Sequence, residues 1–159
     1  MSNHQHFLNL ALKLAAENAR NGTGGPFGAV IVRDGKIIGT GANQVTTSND
    51  PTAHAEIQAI RHTCHTLSTF QLQDCILYTS SEPCPMCMSA IYWARIKEVY
   101  YYHNRTRASA IGFDDDFIYH EIPKSPGERS ISAKQVSFSI SAEEDPFYLW
   151  KTNPNVVHY

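Results

Sequence analysis

His54, Glu56, Cys84 and Cys87 are the residues of this sequence whose types and spacing make chemical sense together. One imidazole and two thiols, drawn from two separate segments, are three good zinc ligands, and the Cys84/Cys87 spacing lets both sulfurs face one ion. A structural zinc closes its shell with four protein ligands, whereas a catalytic zinc keeps one position for water. No fourth ligand in the chain is equally well placed, so the pattern reads as a catalytic centre. Glu56 lies two residues beyond His54, near enough to enter the same pocket without ligating, where a carboxylate can shuttle protons. Cys84 and Cys87 sit at a predicted helix start, where unpaired amides and the helix dipole favour thiolates.

Each of these residues has a plainer role when taken singly. An isolated histidine is usually structural, and a Cys-x-x-Cys pair is also a redox motif or half of a zinc knuckle. Cys64 and Cys75 fall within apolar-patterned elements and read as ordinary thiols. His62 and His65 flank Cys64, which makes a structural zinc module the non-enzymatic alternative. Gly22, Gly24 and Gly25 precede a strand instead of linking a strand to a helix, so they do not form a dinucleotide-binding loop. The glycosylation-like triplets at Asn21 and Asn104 are read as chance.

The elements that must position these residues are legible from periodicity. Phe7, Leu10, Ala11, Leu14 and Ala15 form the apolar stripe of a first helix ending near Asn21. Phe27 to Val32, the turn Asp34-Gly35 and the residues from Lys36 onward form a hairpin. A second helix starts at His54 and runs to about Leu67. A buried strand follows at Cys75–Ser80, and Pro85 opens a third helix running to about Arg95. Further strands are expected at Glu98–Tyr102 and Gln135–Ile140, and a capping box at Ser141–Glu144 predicts the start of a last helix. The resulting expectation is an α/β fold. It is a single three-layer α/β/α domain over residues 1–159, with a central mixed sheet of about five strands.

Composition narrows the partners. With 13 basic and 15 acidic side chains the formal net charge is −2, which gives no general basic surface for phosphate binding and makes a nucleic-acid partner unfavoured. No apolar run approaches the roughly 18–20 residues of a membrane span. The N-terminal segment lacks a signal-peptide pattern, so a cytoplasmic protein is expected.

His54-Ala55-Glu56 and Pro83-Cys84-Pro85-Met86-Cys87 match the H-x-E and P-C-x-x-C signature of zinc-dependent nucleobase deaminases. The chain resembles the cytidine deaminase-like superfamily, and more closely its small bacterial guanine deaminases. That likeness runs nearly end to end, through Gly24–Val30, Asn43, VTTSNDPTAHAE, AIYWAR, Gly112-Phe113-Asp114-Asp115 and Tyr159. The tRNA adenosine deaminases share DPTAHAE and EPCxMC, and they are the competing relatives, together with nucleoside and triazine aminohydrolases. Near-neutral charge, the Tyr92-Trp93 pair and a tail without a basic cluster favour the guanine branch.

The resemblance implies a Zn2+ enzyme of purine metabolism that hydrolyses the C2 amine of guanine to give xanthine and ammonia. It implies Glu56 and Asp115 as catalytic groups, with His54, Cys84 and Cys87 on the metal. Substrate contacts would come from Phe27 on the ring face, Asn43 on its polar edge, and His54, Ala55, Trp93, Asp115 and Tyr159. It further implies a homodimer in which the C-terminal segment 145–159 crosses to the partner and covers its site. Gln44, Ser81 and the extended end Asn155–Tyr159 depart from the family pattern.

Overall fold

The apolar run Gly28–Arg33 forms β1, and its alternate side chains feed two different cores. Ala29 and Ile31 pack with Ala55, Ala59, Leu77 and Ile91, while Val30 and Val32 pack with Phe7, Ala11 and Tyr78. A strand covered on both faces has no polar side, which is why the sequence reads there as an unbroken apolar run. In the computed structural model, which describes residues 3–159, β1 pairs antiparallel with β2 (Lys36–Ala42) and with β3 (Ile76–Ser81). β3 pairs in parallel with β4 (Glu98–His103), giving the order β2-β1-β3-β4.

Helix α1 (Asn3–Asn21) covers one face of this sheet with Phe7 and Ala11. The short turn α2 (Val45–Ser48) leads into α3 (Ala55–Leu67), which lies on the other face together with α4 (Pro85–Trp93), the crossover between the parallel strands β3 and β4. Gly28 makes room for α1: a Cβ there would lie 2.4 Å from the Ala11 carbonyl oxygen. The three-layer arrangement is the expected one, but among the described residues the sheet has four strands where about five were expected.

The chain divides into two compact units, one running to Ile118 and one from Tyr119 to Tyr159. Helix α5 (Arg105–Ser109) belongs to the first, α6 (Asp116–Glu121) spans the boundary, and α7 (Pro146–Thr152) belongs to the second. The strand expected at 135–140 does not form. Val136, Phe138 and Ile140 have the alternating pattern but are exposed, and no other strand lies in the second unit to pair with them. The last helix begins later than its capping box. Glu144 does accept from both the backbone N–H and the hydroxyl of Ser141, yet the helix starts at Pro146 with Asp145 as its cap. Among the described residues no helix is long and apolar enough to cross a membrane.

Candidate active site

Two helix starts build the centre. His54 is the N-cap of α3 and Cys84 the N-cap of α4, each with extended backbone (φ −69°, ψ 158° and φ −66°, ψ 169°). Pro85 occupies the first turn of α4, where its missing N–H costs nothing. The same turn brings the Cys87 amide to the Cys84 sulfur, at 3.5 Å. His54 Nδ1 then lies 3.6 Å from Cys84 Sγ and 3.5 Å from Cys87 Sγ, and the three ligand atoms fall within 4.8 Å of one another. Zinc–sulfur and zinc–nitrogen bonds of ordinary length at a tetrahedral angle set an N···S edge of about 3.6 Å. The donor set therefore fits zinc in both chemistry and spacing.

The electrostatics agree with that reading. A hydrogen bond from Cys87, with help from His54, lowers the Cys84 thiol to about 4 despite its partial burial. The Cys84 sulfur in turn holds the proton on Cys87, whose thiol is pushed up, and burial adds to the effect. The hydrogen bond to Cys84 also raises His54. The pair thus favours one thiolate, and a divalent cation held here would displace the proton of the other.

Glu56, in the first turn of α3, is 6% exposed. Its Oε1 accepts from Thr79 Oγ1 on β3 at 3.4 Å, and its Oε2 accepts from Cys87 Sγ at 3.5 Å. Burial raises its pKa, so the carboxylate takes up a proton more readily than one in water. It sits beside the ligands without belonging to them.

These groups open onto a cavity of about 570 Å3 within the first unit. Phe27, Asn43, His54, Glu56, Cys84 and Asp115 line it, with Cys87 fully buried beside them. Phe27 meets Phe113 edge to face, with ring centroids 4.8 Å apart. Asn43 is buried, and its Oδ1 accepts from the amides of Gly25 (3.1 Å) and Val45 (3.2 Å). Burial raises the pKa of Asp115 from its ordinary value. Ala55 faces the core, so only its backbone at the start of α3 is near the centre. Trp93 is 63% exposed at the far end of α4, and Tyr159 is 68% exposed in the second unit. Neither lines this cavity.

Sequence reasoning passed over Glu82, Met86 and Arg105, which also line the cavity. Glu82 and Met86 stand inside the quoted zinc motif, so their place near the metal was available. Arg105 lies between the strands expected at 98–102 and 135–140, outside every predicted element, and nothing local marks it.

The sequence of residues 1–103 matches the cytidine and deoxycytidylate deaminase zinc-binding region, a span that holds all three ligands and Glu56. The chain belongs to this deaminase family. Among relatives of the deaminase, the guanine deaminase of Bacillus subtilis (strain 168) is 55% identical over 157 residues, covering 99% of both chains. An X-ray structure of guanine deaminase from Bacillus subtilis matches with a TM-score of 0.92 over 98% of each chain. A structure of guanine deaminase from Nitrosomonas europaea matches at 32% identity and a TM-score of 0.66, over 69% of this chain and 64% of that one. The tRNA-specific adenosine deaminase of Agrobacterium fabrum is 44% identical over 101 residues, 64% of this chain and 66% of its own.

Proposed function

We propose that this deaminase hydrolyses guanine to xanthine and ammonia. The observation that carries the reading is the polarity of Asn43. Its Oδ1 is occupied by the two backbone amides, so the side chain offers the cavity only its Nδ2 donor, which makes no hydrogen bond among the described residues. A donor held there suits the carbonyl edge of guanine, because unpaired polar edges are costly to bury. The end-to-end likeness to a guanine deaminase supports the same choice over the tRNA branch, where the likeness covers about two thirds of the chain.

His54, Cys84 and Cys87 would hold the zinc, which when bound brings the pKa of a water towards about 7. Glu56, buried and proton-accepting, removes the proton of the attacking water and delivers it to the ring nitrogen beside C2. Asp115 faces the amine from the other wall and helps carry a proton to the departing ammonia. Phe27 covers the ring face and Asn43 fixes its orientation. Overall, water adds to C2, the C2–N bond breaks, and ammonia leaves.

The working form in this reading is a homodimer in which segment 145–159 crosses to the partner, bringing Tyr159 to its cavity. Trp93 then contributes from the exposed end of α4. Its support is an exposed aromatic set, Tyr92, Trp93, Tyr101 and Tyr102, on α4 and on β4, which has one neighbouring strand among the described residues. All four cysteines are unpaired, in keeping with work in the cytoplasm.

The deciding experiment measures ammonia release by zinc-loaded protein from guanine, guanosine, adenine, cytosine, a melamine-type triazine and a tRNA anticodon stem. Release from guanine alone is expected. Faster release from guanosine or from the tRNA stem overturns the assignment.

A further inference from the structure

Glu82 is a half-buried carboxylate on the cavity wall, next to the zinc-binding turn, and the chemistry above gives it no task. β3 and β4 leave the sheet in register, Ser81 opposite His103, and the connection continues beyond the last ladder pair. The Glu82 amide donates to the His103 carbonyl at 2.7 Å, and Ser81 Oγ donates to the same oxygen at 3.4 Å. Glu82 Oε2 then accepts from the backbone N–H of Arg105 at 2.9 Å, across 23 residues of chain. Arg105 is the first residue of α5, and a first-turn amide has no acceptor within its own helix. Asn104 Oδ1 accepts from the Arg107 amide at 3.1 Å, so two side chains share the first turn of α5 and one of them comes from the metal loop.

We propose that Glu82 is a positioning residue for the reaction read above, latching the wall that carries Phe113 and Asp115 to the turn that carries Cys84. The wall hangs directly on α5. The Phe113 amide donates to the Ala108 carbonyl at 3.1 Å, and the Arg105 guanidinium lies 3.7 Å from the Asp116 carboxylate. Displacing the start of α5 therefore moves Phe113 and Asp115 relative to Cys84. Asn43 and the backbone of Phe27 are held separately, although the Phe27 ring touches Phe113. Asn43 is bonded to Gly25 and Val45, and Phe27 is bonded through its backbone to Gly25 and Asn43, all on the β1 and β2 side. Loss of the latch should disturb the approach of Asp115 to the amine more than the seating of the ring, and a misplacement of about 1 Å costs up to roughly 10²-fold in rate.

The test compares Glu82→Ala, Glu82→Met and Glu82→Gln as zinc-loaded proteins, with metal content measured on each. Met keeps the stem but has no oxygen acceptor, whereas Gln keeps an oxygen for the Arg105 amide and loses the charge. For Ala and Met, kcat with guanine should fall by roughly 10–100-fold with KM changed less than about threefold, and Gln should recover most of that loss. Hydrogen exchange at the Arg105 amide should quicken by at least about tenfold in Ala and Met and stay slow in Gln. Wild-type kcat in the zinc-loaded Met variant, a Gln variant as slow as Met, or unchanged exchange at Arg105 overturns the latch. If the wild-type protein releases no ammonia from guanine, the guanine assignment fails by itself, while the exchange measurement still decides whether the latch exists.

Discussion

Gly41 and Ala55 meet backbone to backbone: a Cβ built on Gly41 would lie 2.2 Å from the Ala55 carbonyl oxygen. Gly41 is on β2, and Ala55 is the first residue of α3, directly after His54. The start of the helix that carries His54 and Glu56, the proposed metal ligand and proton shuttle, thus rests on bare sheet backbone. Burial of Ala55 and Ala59 in the core keeps it there. Fold and chemistry are coupled at this one contact.

Gly41→Ala tests the coupling. The new methyl can fit only if the start of α3 lifts, because its nearest neighbours are the Ala55 oxygen and the Ala59 nitrogen, both backbone atoms. Overpacking of this kind costs about 1–3 kcal/mol. In a chain of this size that is a fall in Tm of roughly 3–10 °C by calorimetry. Zinc affinity should weaken in the same variant, since His54 moves with the helix. A Gly41→Ala protein with wild-type Tm and metal affinity would show that α3 does not depend on this approach.

Glu56→Gln separates proton transfer from metal binding. The amide keeps an oxygen for the Thr79 hydroxyl and nearly the same volume, so the buried site stays filled. What it loses is the ability to take a proton. Zinc content by metal analysis should remain at one per chain while kcat falls by roughly 10²–10⁴-fold. Turnover within a few-fold of wild type in the loaded variant would remove Glu56 from its role.

Cys87→Ser should act on metal and stability together. Cys87 is wholly buried with its thiol pushed up by the Cys84 sulfur, and zinc on binding would displace its proton. Zinc affinity of the wild-type protein should accordingly fall as pH falls. Saturating zinc should raise its Tm, since a ligand at about 1,000 times its Kd adds roughly 4 kcal/mol. In Cys87→Ser the rise should vanish. A serine variant that keeps full zinc and the same thermal response would contradict the ligand assignment.

How much of this was legible in the sequence depended on how local the cause was. Pro85 after Cys84, and His54 ahead of an apolar helical repeat, mark both helix starts, and those starts place the three ligands. The apolar run of β1 marked a strand of a hairpin, and the structure covers that strand on both faces. The failures have non-local or competing causes. Val136, Phe138 and Ile140 alternate as a strand should, but a strand requires a partner, and alternation says nothing about whether one is present. The Ser141–Glu144 box forms its hydrogen bonds, yet a helix begun there would bury Pro146 in its interior, so the chain starts afresh with Pro146 in the first turn. The Glu82–Arg105 bond joins segments 23 residues apart through a backbone amide, and residue types carry no trace of it.

Asn43 offers a test in which two substitutions must give different results. In Asn43→Ala the amides of Gly25 and Val45 both lose their acceptor, so the loop that shapes the cavity loosens and the fold itself is weakened. Each hydrogen bond lost in this way costs about 1 kcal/mol, and more where the donor stays buried. Asn43→Asp keeps an acceptor for both amides and replaces the Nδ2 donor with a second oxygen. Its Tm should therefore stay near wild type, while kcat/KM for guanine falls by at least about 10-fold, because an oxygen would then face the carbonyl edge of the base. Equal kcat/KM for Asn43→Asp and wild type would show that Asn43 shapes the loop without reading the substrate. The seating of guanine's carbonyl edge would then have to come from another wall of the cavity.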